Sequence, residues 1–268
     1  MIGLIAGEGN LPKVLIKQFN RKKINFCLLN LTPKKITKKN TYNVCITEIS
    51  KIIKILKQNN CREVIMVGKV TRPSLKNFRM DFLTIRLLPK IIYNLKKGDS
   101  YTLDFVIKVF KKHKINVVSC LKYLPEIKAE NFISSSKPSS KDMADIKKAK
   151  LILKHINSKF DVGQSIVVNS GFVVGIEAAE GTDLMLKKIA KIQAKINKGL
   201  LSGVLVKMPK KIQDMRVDIP TIGLGTIKNC LDAGIKGIAL KKNENIFLDQ
   251  ERCYKLIKKN NFFIKVVN

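Results

Sequence analysis

The chain has 268 residues, 45% of them hydrophobic, which is enough for a real core in each of two domains. No run approaches the ~18 consecutive apolar residues of a membrane span, and the opening MIGLIAGEGN has neither a basic leader nor a long enough apolar region for a signal peptide. Six cysteines without a CxxC pair (Cys27, Cys45, Cys61, Cys120, Cys230, Cys253) speak against a disulfide scaffold or a structural zinc site. The expectation is a reduced, cytoplasmic protein.

Lysine and arginine number 52 against 20 acids, a formal net charge of +32. Such a balance attracts nucleic acid or anionic membrane surfaces. The excess is dispersed, as in Lys34-Lys35, Lys96-Lys97, Lys111-Lys112, Lys147-Lys148 and Lys241-Lys242, and forms no tail or single stripe. Abundant Ile and Asn with no Trp point to AT-rich coding as its main source.

In chain order, Met1–Ala6 reads as a buried strand, followed by the turn Gly7-Glu8-Gly9-Asn10 and a helix opened by Pro12. Residues 24–31 form a second strand, 49–58 a helix and 63–67 a third strand broken at Gly68. Helices follow over 81–95 and 100–112, parted by Gly98-Asp99, and then a strand over 115–119. Alternating strands and helices imply a mostly parallel sheet covered on both faces, with ligands beyond the carboxyl ends of its strands. The loops after Ala6 and Val67 should then share one rim. The fold class is α/β, a Rossmann-like N-terminal domain (1–130) joined by a Ser/Pro-rich linker (131–141) to a distinct α/β C-terminal domain (142–268). That second half opens with a helix for which Asp142 is the expected cap. A hairpin over 165–177, a helix from Thr182 to about Asn197 and a strand over 203–207 come next. An irregular stretch over 208–220, a helix over 223–233, and a closing strand, helix and strand complete it.

Three segments have residues suited to chemistry. Gly7, Gly9 and Asn10 lie on a strand–turn–helix suited either to a phosphate or to a plain tight turn. Pro12 replaces the third fingerprint glycine and no acid follows the second strand, which disfavours a nicotinamide cofactor. Lys69, Thr71 and Arg72 follow a buried strand, where cations either grip a diphosphate or simply add to the solvated lysine excess. In a chain poor in acids, Glu177, Glu180 and Asp183 cluster at one junction, and Asp214 and Asp218 share one loop. Carboxylates hold hard cations or orient an attacking water. Taken singly, Asp183 reads as a helix-start acid and Asp214 as a turn residue. If the loop is extended, Arg216 points the same way as Asp218 and can grip phosphate beside it. His113 and His155 read as solvated helix residues. No aromatic-bearing basic strand face supports RNA binding.

The runs GLIAGEGNLP, VGKVTRP, KGDSYTLDFV, DMADIKKA, VVNSGFVVGIEAAEGTDLML and DMRVDIPTIG, in order along the whole chain, resemble the LpxI-type UDP-2,3-diacylglucosamine pyrophosphatases of lipid A biosynthesis. The resemblance implies Mg²⁺-dependent hydrolysis of UDP-2,3-diacylglucosamine to UMP and 2,3-diacylglucosamine 1-phosphate. It puts the essential aspartate on Asp218, as metal ligand or base; Asp183 and Glu180, from the acidic cluster, are the further candidate metal ligands. Gly7, Gly9, Asn10, Lys69, Thr71, Arg72, Gly181, Thr182, Arg216 and Thr221 are the candidate substrate contacts. The implied partners are a lipid-bearing UDP-sugar and, transiently, an anionic membrane surface; no nucleic acid is expected, and self-association is left open. The apolar helices over 81–95 and 182–197 are candidates for an acyl groove.

Overall fold

The structure is a computed structural model that describes residues 1–70, 80–130, 134, 136–196 and 202–268, with the side chains of 193–196 left aside. It divides into two units: Met1–Pro125 together with Asp214–Asp218, and Glu126–Gln213 together with Ile219–Asn268.

The first unit runs β1 (Ile2–Ala6), α1 (Asn10–Arg21), β2 (Phe26–Asn30), β3 (Thr41–Asn43), α2 (Ile49–Gln58), β4 (Glu63–Val67), α3 (Phe82–Lys97), α4 (Asp99–Lys112) and β5 (Asn116–Val117). The strands pair in the order β3-β2-β1-β4-β5, all parallel. This is the doubly wound arrangement expected of a Rossmann-like half, with its switch point between β1 and β4. Buried runs such as Gly3–Ala6 and Cys27–Asn30 are what a sheet covered on both faces demands. In α2, Ile52, Ile53 and Leu56 recur at helical spacing and join Ile5, Leu29, Val64 and Phe110 in one core cluster. The strand β3 was not anticipated. Its Thr-Tyr-Asn sequence carries no alternation, and it exists because Leu28 N–H bonds to Asn40 O (2.8 Å) and Val44 N–H to Asn30 O (3.1 Å).

The second unit comprises α5 (Ser140–Lys159), β6 (Ser165–Asn169), β7 (Phe172–Ile176), α6 (Thr182–Ile196), β8 (Val204–Lys207), β9 (Thr221–Ile222), α7 (Leu224–Asp232), β10 (Gly237–Lys241), β11 (Ile246–Phe247), α8 (Gln250–Lys259) and β12 (Phe263–Val267). The main sheet has the order β12-β10-β8-β6-β7. β12, β10 and β8 are parallel, and the expected hairpin of β6 and β7 adds two antiparallel strands. Side chains alternate across it. Val167, Leu205, Ile238 and Leu240 face a core with Met185, Leu186 and Ile189 of α6 and Ile257 of α8. Ile166, Val168, Val204, Val206 and Ala239 face Ile146, Ala149 and Leu153 of α5. The short parallel pair β9–β11 was also not foreseen, being two residues long on each side. The cap of α5 differs from expectation: Ser139 is the N-cap and Asp142 its reciprocal partner in a capping box, because Asp142 lies three residues further on, where its carboxylate reaches back to Ser139 N–H (2.7 Å).

Candidate active site

The loops after β1 and β4 meet, as their neighbouring parallel strands require. Gly7 N–H donates to Val67 O (2.9 Å), Glu8 N–H to Lys69 O (2.7 Å) and Lys69 N–H to Glu8 O (2.8 Å). A Cβ on Gly7 would stand 2.4 Å from Lys69 O, so close approach of the two loops by itself demands glycine there. Gly9 has a different reason. It is the N-cap of α1 at φ 113°, with open space where a Cβ would go. The first turn of α1 holds no acid and Gly9 offers no side-chain cap, so its backbone N–H groups present a positive end at the rim. Asn10, the first residue of α1, and Lys69 are both exposed there. Thr71 and Arg72 lie outside the described residues. At the end of β2, where a dinucleotide enzyme keeps an acid, Asn30 is buried and tied to Thr32, Lys34 and Asn43.

Asp214–Asp218 belongs to this first unit. The segment is a turn and not extended: Val217 N–H and Asp218 N–H both donate to Asp214 O (3.1 and 3.0 Å). The extended reading of Arg216 is therefore corrected. Its guanidinium doubles back onto the Asp214 carboxylate (Nε to Oδ1 3.0 Å, an Nη to Oδ2 2.6 Å), and the same carboxylate accepts Arg216 N–H at 2.9 Å. A local i, i+2 acid–base pair won over strand geometry because the fork closes on the carboxylate within the turn. Arg216 holds the Asp214 carboxyl below the usual range, and Asp214, with a contribution from Asp104, raises the Arg216 guanidinium. Val217 packs against the core cluster of the unit and pins the turn. Asp218 is half-buried at its end.

The second unit anchors the preceding loop. Lys210 pairs with Asp161, Gln213 accepts Lys210 N–H (2.8 Å), and Gln213 Nε2 donates to Gln164 Oε1 (3.2 Å). At the start of α6 lies a polar network that residue types alone did not reveal. Lys207 Nζ donates to Thr182 Oγ1 (2.6 Å), Thr182 Oγ1 to Glu177 Oε2 (2.7 Å), and Ser165 Oγ is 3.1 Å from Thr182 Oγ1. All four residues are buried. The available signal was a lysine closing the otherwise apolar strand VLVK. Gly181 precedes Thr182 at φ 80° with open space above it. Glu180 pairs with Lys188 (3.0 Å), which, after the backbone N–H groups around it, holds its carboxyl low, and Asp183 Oδ1 accepts from Asn229 (2.9 Å). Thr221, in β9, donates to Ile219 O (2.9 Å). Among the described residues no three His, Cys, Asp or Glu side chains are grouped to hold a metal. Glu180 and Asp183 each have a partner within the second unit, and Asp218 belongs to the first. Both helices considered for acyl chains have a core side and exposed apolar residues: α6 buries Met185, Leu186 and Ile189 and exposes Leu184 and Ile192, while α3 packs Leu83 and Leu87 inward and exposes Phe82, Ile85 and Ile92.

These features define a two-unit α/β protein with a glycine-bounded loop rim in the first unit and an aspartate on a pinned turn. Residues 1–127 match the family described as LpxI N-terminal domain, and residues 129–265 match LpxI C-terminal domain. The chain belongs to the LpxI family. It is similar to the UDP-2,3-diacylglucosamine pyrophosphatase LpxI of Caulobacter vibrioides, with 33% identity over 258 residues, covering 93% of this chain and 91% of the relative.

Proposed function

We propose that this chain hydrolyses UDP-2,3-diacylglucosamine to UMP and 2,3-diacylglucosamine 1-phosphate, a step of lipid A biosynthesis. The observation that carries the reading is similarity to the Caulobacter pyrophosphatase across 93% of the chain, with Asp218 inside the matched family region. In this reading the α1 N-terminus and the cations Lys69 and Arg72 bind the anionic diphosphate, Gly7, Gly9 and Asn10 shape the loop after β1, and Arg216 adds a further cation. Asp218 orients or deprotonates the attacking water, whose oxygen adds to the phosphorus nearer the sugar as the bond to the UMP oxygen breaks. Asp218 would hold a divalent cation such as magnesium, which would supply neutralisation of the developing phosphate charge.

No described helix is long and apolar enough to cross a membrane. A substrate with two acyl chains resides in a bilayer, so the reading includes peripheral contact of a cytoplasmic enzyme with an anionic membrane face. The deciding experiment incubates purified protein with UDP-2,3-diacylglucosamine and Mg²⁺ and assays UMP. UMP formation above the protein-free rate is the expected result, and none under any divalent cation defeats the reading.

A further inference from the structure

Helix α3 is built against the usual rule for a surface helix. Of its sixteen residues only Thr84 is buried, and that side chain is held by the N-cap Asp81 (2.8 Å) while accepting Ile49 N–H (3.1 Å). Leu83 and Leu87 face the core of the first unit. The outward side is not polar. Phe82 is 82% exposed, Ile85 54%, Ile92 45% and Tyr93 60%.

At ~100° per residue, Phe82, Ile85, Pro89 and Ile92 fall within an arc of about 80° directed away from the core contacts. Arg86, Lys90 and Lys97 occupy the adjoining arc, with Tyr93 between the two strips and Lys97 Nζ 4.3 Å from the Tyr93 ring centroid. Lys96 ends the apolar strip with a stem long enough to lift its charge clear. Tyr101, 38% exposed at the start of α4, continues the aromatic edge.

From this pairing of an exposed apolar strip with a cationic one, we propose that α3 is the docking element that lays the protein on an anionic lipid bilayer. Phe82, Ile85 and Ile92 enter the interface, and Arg86, Lys90 and Lys97 face the headgroups. Apolar and aromatic residues beside lysine and arginine on one helix are the composition of an interfacial helix, in which the polar strip reads surface charge and the apolar strip inserts. Charge selects the occupant. A second copy of a chain carrying +32 would meet like charge across the face, whereas an anionic bilayer complements it. The proposal names the element behind the peripheral contact proposed above, and it rests on that reading for the reason a bilayer is visited at all.

The chain contains no tryptophan, so Phe82→Trp creates a single fluorescent reporter. Phe172→Trp is the control, at a residue 76% exposed on β7. Vesicles of phosphatidylcholine with 30% phosphatidylglycerol should blue-shift the Phe82→Trp emission and leave Phe172→Trp unmoved, and pure phosphatidylcholine should shift neither. In a vesicle-sedimentation assay, replacing Phe82, Ile85 and Ile92 by Ser should lower partitioning by about tenfold or more. Equal shifts in both reporters, an unmoved Phe82→Trp, or a shift without lipid that grows with protein concentration would each overturn the proposal, the last by assigning the face to self-association. Loss of hydrolysis by the wild-type chain refutes the reaction alone, and the vesicle result stands or falls separately.

Discussion

Glu8 and Lys69 exchange both of their backbone hydrogen bonds (2.7 and 2.8 Å), fastening the loop after β1 to the loop after β4 at the switch point of the parallel sheet. The rim formed by these two loops is thus a single braced structure. Bracing is what allows a helix N-terminus to hold phosphate without first ordering itself.

That brace makes Gly7 and Gly9 separable. Gly7→Ala puts a Cβ 2.4 Å from Lys69 O and should cost about 2–3 kcal/mol in urea unfolding. Gly9→Ala meets open space but must hold φ 113°, ψ −173°, a region essentially confined to glycine, so about 1–3 kcal/mol of backbone strain is expected without any clash. A cost well below about 1 kcal/mol for Gly7→Ala would mean that the loops can part without penalty.

Asp218→Ala should fold normally and lose about 10³-fold in kcat, equivalent to ~4 kcal/mol of transition-state stabilisation. The turn survives because its hydrogen bonds run from backbone N–H groups to Asp214 O, and Val217 still packs on the core. Asp214→Ala removes a largely solvent-side ion pair with Arg216 and should cost less than tenfold. Circular dichroism and steady-state kinetics on both variants check this; retention of more than a tenth of the rate by Asp218→Ala would move the chemistry elsewhere.

Turnover should require a divalent cation. Excess EDTA should reduce UMP formation to background and added Mg²⁺ should restore it, since a diphosphate leaving group needs its charge neutralised. Undiminished hydrolysis in chelator rules out the proposed role for magnesium.

Thr182→Val would leave both Lys207 Nζ and Glu177 Oε2 without their shared partner inside the second unit. An expected loss of about 2–4 kcal/mol follows from stranding a buried charge, well beyond the change in apolar area. Thr182→Ser keeps the hydroxyl and should lose far less. Thermal unfolding of the pair measures the difference.

Acid stability should depend on the α5 cap. Burial pushes the Asp142 carboxyl up, but Lys236 (2.8 Å) and Ser139 outweigh it and hold the group below the usual carboxylate range. A depressed folded value contributes stability that is complete above the unfolded value of about 3.9 and is lost as pH falls through the folded value. Asp142→Asn should therefore flatten the stability profile below about pH 4, and Ser139→Ala should cost ~1 kcal/mol above that pH and less below it, because the Ser139 hydroxyl donates to the ionised Asp142 carboxylate. An unchanged acid limb in Asp142→Asn would show that other carboxylates set it.

Much of the architecture was legible in residue order. The runs 2–6, 49–58 and 63–67 specify their elements because apolar spacing alone decides which face is buried, and adjacency of β1 and β4 then requires the rim that Glu8 and Lys69 close. In the second half the sparse acids only marked candidates, and it was the resemblance of the run DMRVDIPTIG that pointed to Asp218. Tertiary structure alone decided the rest. β3 and the β9–β11 pair are made by partners distant in sequence, so no local period announces them. The turn at Asp214–Asp218 and its packing on the first unit depend on Val217 finding a core built from other elements. Lys207 becomes a buried donor only because β8 ends beside Thr182, and hydrogen-bond satisfaction of a buried amine is a property of three-dimensional neighbours. The outward apolar strip of α3 is the same case in reverse: its sequence reads as core, and only the fold leaves that strip without protein to cover it.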